Sequence, residues 1–258
     1  MYLIDSHTHL FDHAFDKDRD EVVKSIIESG VEKMVLPCCS PRSLGGIDYL
    51  CQKFPGHCFP TSGLHPEDIE GDYNAQMKEI FDYKFPTPIV AVGEIGIDKH
   101  YTADNIDIQM QVFDNQVKRA IAADLPVIIH CREAHPETFE VLDGYKGKVR
   151  GIFHCFSGDM SDAQRVMDYG DFYFGIGGVV TFKTSGATLA ALVRDVIPLS
   201  KIVLETDSPY LAPVPYRGKR NDSTMVRVIA HKIAEIQGVP FDEVAEVTTR
   251  NSERVFGI

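Results

Sequence analysis

Ile89-Val90-Ala91-Val92-Gly93-Glu94 joins four apolar residues to a glycine and a carboxylate. An unbroken apolar run of this length reads as a strand buried on both faces, as in a parallel sheet covered by helices. The pattern of an apolar run ending in a polar residue recurs outward in both directions. It gives strand candidates at 2–5, 33–38, 58–64, 89–94, 127–130, 151–154, 173–176 and 202–205. Apolar residues at three- and four-residue spacing mark helices at 18–29, 105–123, 162–169, 187–194, 224–237 and 241–256. Gly30 stands where a cap would stop the first of them. Eight strands alternating with helices in 258 residues predict an α/β chain of the TIM-like (β/α)8 barrel type, one domain over 1–258, in preference to a doubly wound sheet.

The polar residues at the strand ends carry the chemistry. His7 and His9 follow the first strand two residues apart, so both imidazoles face the same way in extended chain. Glu94, His130, His154 and Asp207 end or follow the fourth, fifth, sixth and eighth strand candidates. In a barrel these ends share one rim, where barrel enzymes place their active sites. Neutral imidazoles and carboxylates are ligands for divalent metals. Four imidazoles and two carboxylates exceed the needs of one tetrahedral ion and suit two ions about 3.5–4 Å apart that share a carboxylate. Glu94 is the expected bridge, with His7 and His9 on one ion and His130 and His154 on the other. Asp207 is expected to ligate the first ion and to act as general base toward a water activated by the two metals.

Composition narrows the class. The net charge is −12, from 26 basic and 38 acidic residues, which argues against a protein that coats duplex DNA. No apolar stretch approaches the roughly 20 residues that span a membrane, and no basic-then-apolar leader precedes the first strand, so the expectation is a cytoplasmic protein. The six cysteines form no Cys-x-x-Cys pair and read as reduced.

Six segments together resemble the TatD family of metal-dependent deoxyribonucleases, within the amidohydrolase-like barrel superfamily. They are Asp5-Ser6-His7-Thr8-His9-Leu10, Gly63-Leu64-His65-Pro66, Val92-Gly93-Glu94-Ile95-Gly96-Ile97-Asp98, Ile129-His130-Cys131-Arg132-Glu133-Ala134, His154-Cys155-Phe156-Ser157-Gly158 and Leu204-Glu205-Thr206-Asp207-Ser208-Pro209-Tyr210-Leu211. The resemblance covers essentially the whole chain. It implies divalent metals (Mg²⁺, Mn²⁺ or Zn²⁺) at His7, His9, Glu94, His130, His154 and Asp207. It also implies hydrolysis of DNA phosphodiesters, as a 3′→5′ exonuclease on single strands or DNA 3′ ends. Two departures bear on substrate preference. Ser223 stands where the family usually has proline, and Lys99-His100-Tyr101 follows Asp98 where the family tends to be more aromatic.

Around the metals, Arg132 is a candidate phosphate clamp and His65 a candidate partner for a phosphate or the leaving oxygen. Ser157 could offer its backbone N–H to phosphate. Arg217, Lys219 and Arg220 form a basic cluster that could guide the nucleic-acid backbone. Glu205 is expected deeper in the barrel, supporting a ligand or Arg132. The competing readings are a hydrolase of small amides, lactones or phosphoesters, and a metal-binding scaffold without catalysis; Asp207 argues against the scaffold. A monomer is expected.

Overall fold

The structure is a computed structural model describing residues 2–100 and 103–258, so Tyr101 lies outside the described residues. Strands and helices alternate along it: β1 (Leu3–Asp5), α1 (Arg19–Glu28), β2 (Val31–Leu36), α2 (Leu44–Lys53), β3 (Cys58–Pro60), α3 (Tyr73–Asp82), β4 (Val92–Asp98) and α4 (Ile106–Ala122). Then come β5 (Val127–Arg132), α5 (His135–Asp143), β6 (Gly151–Phe153), α6 (Met160–Asp168), β7 (Phe172–Ile176), α7 (Ala187–Asp195), β8 (Ile202–Leu204), α8 (Val226–Gln237) and α9 (Phe241–Phe256). All pairings are parallel, β1 to β3 in one run and β4 to β8 in another.

Backbone hydrogen bonds join the two runs at both seams. Between β3 and β4, the Val90 N–H reaches the Pro60 carbonyl at 3.0 Å and the Gly93 N–H reaches that of Ser62 at 3.0 Å. Between β8 and β1, the N–H groups of Ser6 and Asp207 reach the carbonyls of Leu204 (2.9 Å) and His7 (3.0 Å). The sheet thereby closes into the expected (β/α)8 barrel.

Strand alternation stacks the interior in layers. Val35, Ile128, Ile152, Tyr173 and Val203 form an inner apolar layer, sealed by Val255 and Phe256 of α9. α9 is fastened at the strand starts, where Asn251 donates to the Ile202 carbonyl (2.7 Å) and Thr249 to that of Tyr2 (3.0 Å). Two residues further along the strands, the same inward positions are His130, His154 and Glu205. An apolar floor therefore carries a polar layer. Outward-facing residues, such as Ile129, Phe153 and Leu204, pack against the helices.

The third strand is shorter than expected, Cys58–Pro60 against 58–64, and three further features differ from the sequence expectation. The fourth strand is shifted forward, so Glu94 is its third residue and Asp98 its last. Its pairing with β5 runs from Val92↔Val127 to Ile95↔Ile129, one extra residue on β4. Such a bulge re-aims a side chain, here Glu94, toward the barrel axis. Gly93 and Gly96 permit the close approach, since a Cβ on either would lie 2.5 Å from Ile128 Cβ or 1.9 Å from the His130 carbonyl oxygen. Second, α2, α3 and α5 were not apparent in the sequence pattern. In α2, Gly45 and Gly46 dilute the helical pattern, yet a Cβ on Gly46 would meet Phe11 Cβ at 2.9 Å. Third, β8 ends at Leu204, so Asp207 lies in the following loop with φ +55°. Gly30 follows α1 at φ +89°. The six cysteines are free. Among the described residues, no helix is long and apolar enough to cross a membrane.

Candidate metal centre

The end of β1 is locked to the end of β8 by Asp5. Its Oδ1 accepts from the backbone N–H of His7 (3.2 Å) and of Thr206 (3.0 Å), and its Oδ2 from Thr206 Oγ1 (2.6 Å). Thr8 Oγ1 and Ser208 Oγ add a 2.6 Å contact. These bonds set His7 and His9 beside Asp207.

Glu94 stands at the centre, 2 % exposed. Its two oxygens face different imidazoles. Oε2 lies 3.2 Å from His7 Nε2 and 3.9 Å from His9 Nε2. Oε1 lies 2.9 Å from His130 Nδ1, 3.3 Å from His65 Nε2 and 3.8 Å from His154 Nε2. Asp207 Oδ1 closes the other side, 3.2 Å from His9 Nε2 and 3.8 Å from both His7 Nε2 and His154 Nε2. Among the described residues five sets offer ligand atoms within 4.8 Å of one another, and three of them contain Glu94 or Asp207: His7–His9–Glu94, His7–His154–Asp207 and His65–Glu94–His130. The structure thus gathers all six residues expected to hold metal and adds His65 to them.

The electrostatics suit cation binding. Burial works against ionisation of Glu94, but His7, His65 and His154 hold its carboxyl well below the usual range. Burial opposes ionisation of Asp207 too, yet the hydrogen bond from His9 holds it low. Burial and the neighbouring His154 push His7 down to about 4, leaving a neutral ring with a lone pair to give. Despite burial, the Asp98 and Glu94 carboxylates raise His130 to about 9, and Glu205 with Glu94 raises His154 to about 10. The carboxylates therefore draw protons onto these imidazoles when no other cation neutralises them.

A surrounding set of residues orients the rings. Glu205 Oε2 lies 3.1 Å from His154 Nδ1, leaving Nε2 to face the centre, while its Oε1 accepts from the Cys155 N–H at 2.6 Å. Glu205 therefore supports a candidate ligand, as expected. Asp98 Oδ2 does the same for His130 Nε2 at 2.8 Å. Gln109 fixes Asp98 in turn, accepting from its N–H (2.8 Å) and donating to its carbonyl (3.0 Å). Asp98 and Gln109 were not singled out by sequence; the position of Asp98 four residues after Glu94, at the end of the same apolar strand, was the available signal. Cys39 was also missed, with Sγ 3.9 Å from both His9 Nδ1 and Glu94 Oε2.

The expected substrate residues fall into different settings. Arg132 ends β5, half-buried, on the same face as His130. Ser157 is exposed in the loop after β6. Arg217 and Lys219 are exposed on the loop after β8, with the Arg217 guanidinium 4.1 Å from the Phe182 ring and Lys219 Nζ 5.9 Å from that of Tyr216. Arg220 departs from the expectation. Its two terminal nitrogens grip both oxygens of Asp18 (2.7 and 2.6 Å), and one also donates to the Ala14 carbonyl. Its charge is already neutralised, and it ties the loop to the start of α1.

A (β/α)8 barrel with histidines and carboxylates converging at the strand ends defines a metal-dependent hydrolase. Comparison with known proteins makes this specific. The model of the TatD related DNase family matches residues 4–257, and the chain belongs to that family. It is 34% identical over 258 residues to the metal-dependent hydrolase YabD of Bacillus subtilis (strain 168), covering 99% of each chain. It is 32% identical over 262 residues to the 3′-5′ ssDNA/RNA exonuclease TatD of Citrobacter rodentium, covering 99% of this chain and 98% of the relative. Among solved structures, YJJV, a TatD homolog from Escherichia coli K12, superposes with a TM-score of 0.89 at 26% identity, over 99% of this chain and 98% of that one.

Proposed function

We propose that the enzyme hydrolyses phosphodiester bonds of single-stranded DNA from the 3′ end, using two divalent ions of the Mg²⁺, Mn²⁺ or Zn²⁺ type. The observation that carries this reading is the division of Glu94, with Oε2 toward His7 and His9 and Oε1 toward His65, His130 and His154. A carboxylate shared between two imidazole sets is the geometry that a pair of ions requires. An ionised Glu94 and Asp207 beside a neutral His7 fit such ions. The exonuclease name of the C. rodentium relative supports the substrate and the direction. The free cysteines fit a reducing, cytoplasmic setting.

Bound divalent ions would supply Lewis-acid polarisation of the phosphoryl oxygens and a more acidic water. His7, His9 and Asp207 would hold one ion and His130 and His154 the other, with Glu94 offering Oε2 to the first and Oε1 to the second. Asp207, ionised and only partly buried, takes the proton as the water oxygen bonds to phosphorus. The P–O ester bond on the opposite side breaks, and the proton held by Asp207 returns through water to the departing oxygen. His65 and Arg132, on the same rim, hold the phosphate and the departing oxygen.

The test is degradation of a 5′-labelled single-stranded oligonucleotide by chelator-stripped protein, with Mg²⁺, Mn²⁺ and Zn²⁺ restored one at a time. The expected result is a metal-dependent ladder shortening from the 3′ end, absent in Asp207→Asn. An oligonucleotide left intact under every metal would turn the assignment to small amides, lactones or phosphoesters.

A further inference from the structure

From the loops after β7 and β8 we infer that the strand of a single-stranded nucleic acid leaving the metal centre runs along these two loops and into a groove between them. This rests on the nuclease reading above and adds a binding track to it.

The two loops form one surface. A Cβ on Gly178 would lie 2.1 Å from the Leu211 carbonyl oxygen, so the backbones touch there. The Val214 N–H donates to Thr181 Oγ1 at 2.9 Å and pins the loops together further out. Between them lies a groove of about 270 Å³ lined by Phe182, Lys183, Thr184, Ser185, Val214 and Arg217. The track begins at the metal centre, because the Tyr210 ring stands 6.2 Å from that of His9.

Charge is segregated on this surface. The chain has 38 acidic residues, yet none falls between Phe172 and Arg194 or between Ser208 and Asn221. Of the cations in these segments, Arg194 is paired with Asp195 and Arg220 with Asp18. Lys183, Arg217 and Lys219 have no carboxylate ion partner among the described residues; other cations such as Lys24 and Lys146 also lack one, but these three share segments that hold no acidic residue.

Aromatic rings alternate with these cations. Tyr210 is 53% exposed and Tyr216 37% exposed, and the Arg217 guanidinium covers Phe182. Exposed rings interleaved with unneutralised cations form the surface on which successive bases stack while phosphates meet positive charge. The acidic remainder of the protein repels nucleic acid elsewhere and favours this track.

The test is fluorescence anisotropy of a labelled, phosphorothioate-linked thymidine 12-mer, which keeps its charge and resists hydrolysis, with Mn²⁺-loaded protein. Lys183→Glu, Arg217→Glu and Tyr216→Ala are compared with Lys78→Glu, a charge reversal on α3. Each reversal in the groove is expected to weaken binding at least tenfold and to reduce the slope of log affinity against log salt by about 0.7 for every phosphate that is no longer neutralised. Tyr216→Ala is expected to weaken binding about tenfold without changing that slope. If the wild type binds and the groove variants match Lys78→Glu, the track is overturned and the nuclease reading stands. If the wild type fails to bind the 12-mer while hydrolysing bis(p-nitrophenyl) phosphate, both are overturned.

Discussion

A Cβ on Gly175 would lie 2.2 Å from Oε2 of Glu205, the same oxygen that meets His154 Nδ1 at 3.1 Å. The absence of a side chain on β7 thus makes room for the carboxylate that orients a candidate ligand just after β6. Gly175→Ala is expected to displace Glu205 and to lower affinity for divalent ions about 10- to 100-fold while the barrel still folds. Metal titration with circular dichroism on the same samples checks this. Unaltered ion affinity would show that Glu205 does not orient His154.

The raised imidazoles give ion binding a pH dependence of definite sign. His130 (about 9) and His154 (about 10) lie above the ordinary 6.5 because, against the effect of burial, neighbouring carboxylates favour the protonated rings. A raised value in the folded state adds stability to the ion-free protein below pH 6.5, and this is lost as pH rises through 9 and 10. A metal must displace those protons, so affinity rises with pH over the same window and uptake releases protons. Calorimetric titration with Mn²⁺ at pH 6.5, 7.5 and 8.5 in buffers of different ionisation enthalpy measures both quantities. Asp98→Asn removes the main partner of His130 Nε2 and is expected to flatten the profile. A pH-independent affinity in the wild type would contradict this account.

Asn221, fully buried, fastens the loop after β8. Its Nδ2 donates to the carbonyls of Thr206 (2.9 Å) and Tyr210 (2.7 Å), on either side of Asp207. Asn221→Ala leaves both carbonyls unpaired and is expected to cost about 2 kcal/mol, lowering Tm by roughly 6 °C. Differential scanning calorimetry checks it; an unchanged Tm would mean that the loop is held by Arg220 and Asp18 instead.

The parts legible in sequence were those set by local periodicity. His7 and His9 share a direction because strand side chains alternate, and His130 and His154 follow apolar runs that mark their strands. The one-residue bulge that aims Glu94 could not be seen, because it depends on the register of β4 against β5. Asp98 and Gly175 act on partners 32 and 30 residues away, Asp98 on His130 and Gly175 on Glu205. Arg220 shows the reverse case. Its place in a basic cluster suggests a phosphate contact, but its partner, Asp18, is 202 residues distant and visible only in the fold.

The central claim is that Glu94 joins two metal ions. Electron paramagnetic resonance of the Mn²⁺-reconstituted protein, with metal content measured on the same sample, tests it most directly. The account predicts two equivalents per chain and a spin-coupled dinuclear spectrum, with the coupling lost in Glu94→Gln. One equivalent with an uncoupled mononuclear spectrum in the wild type would contradict it.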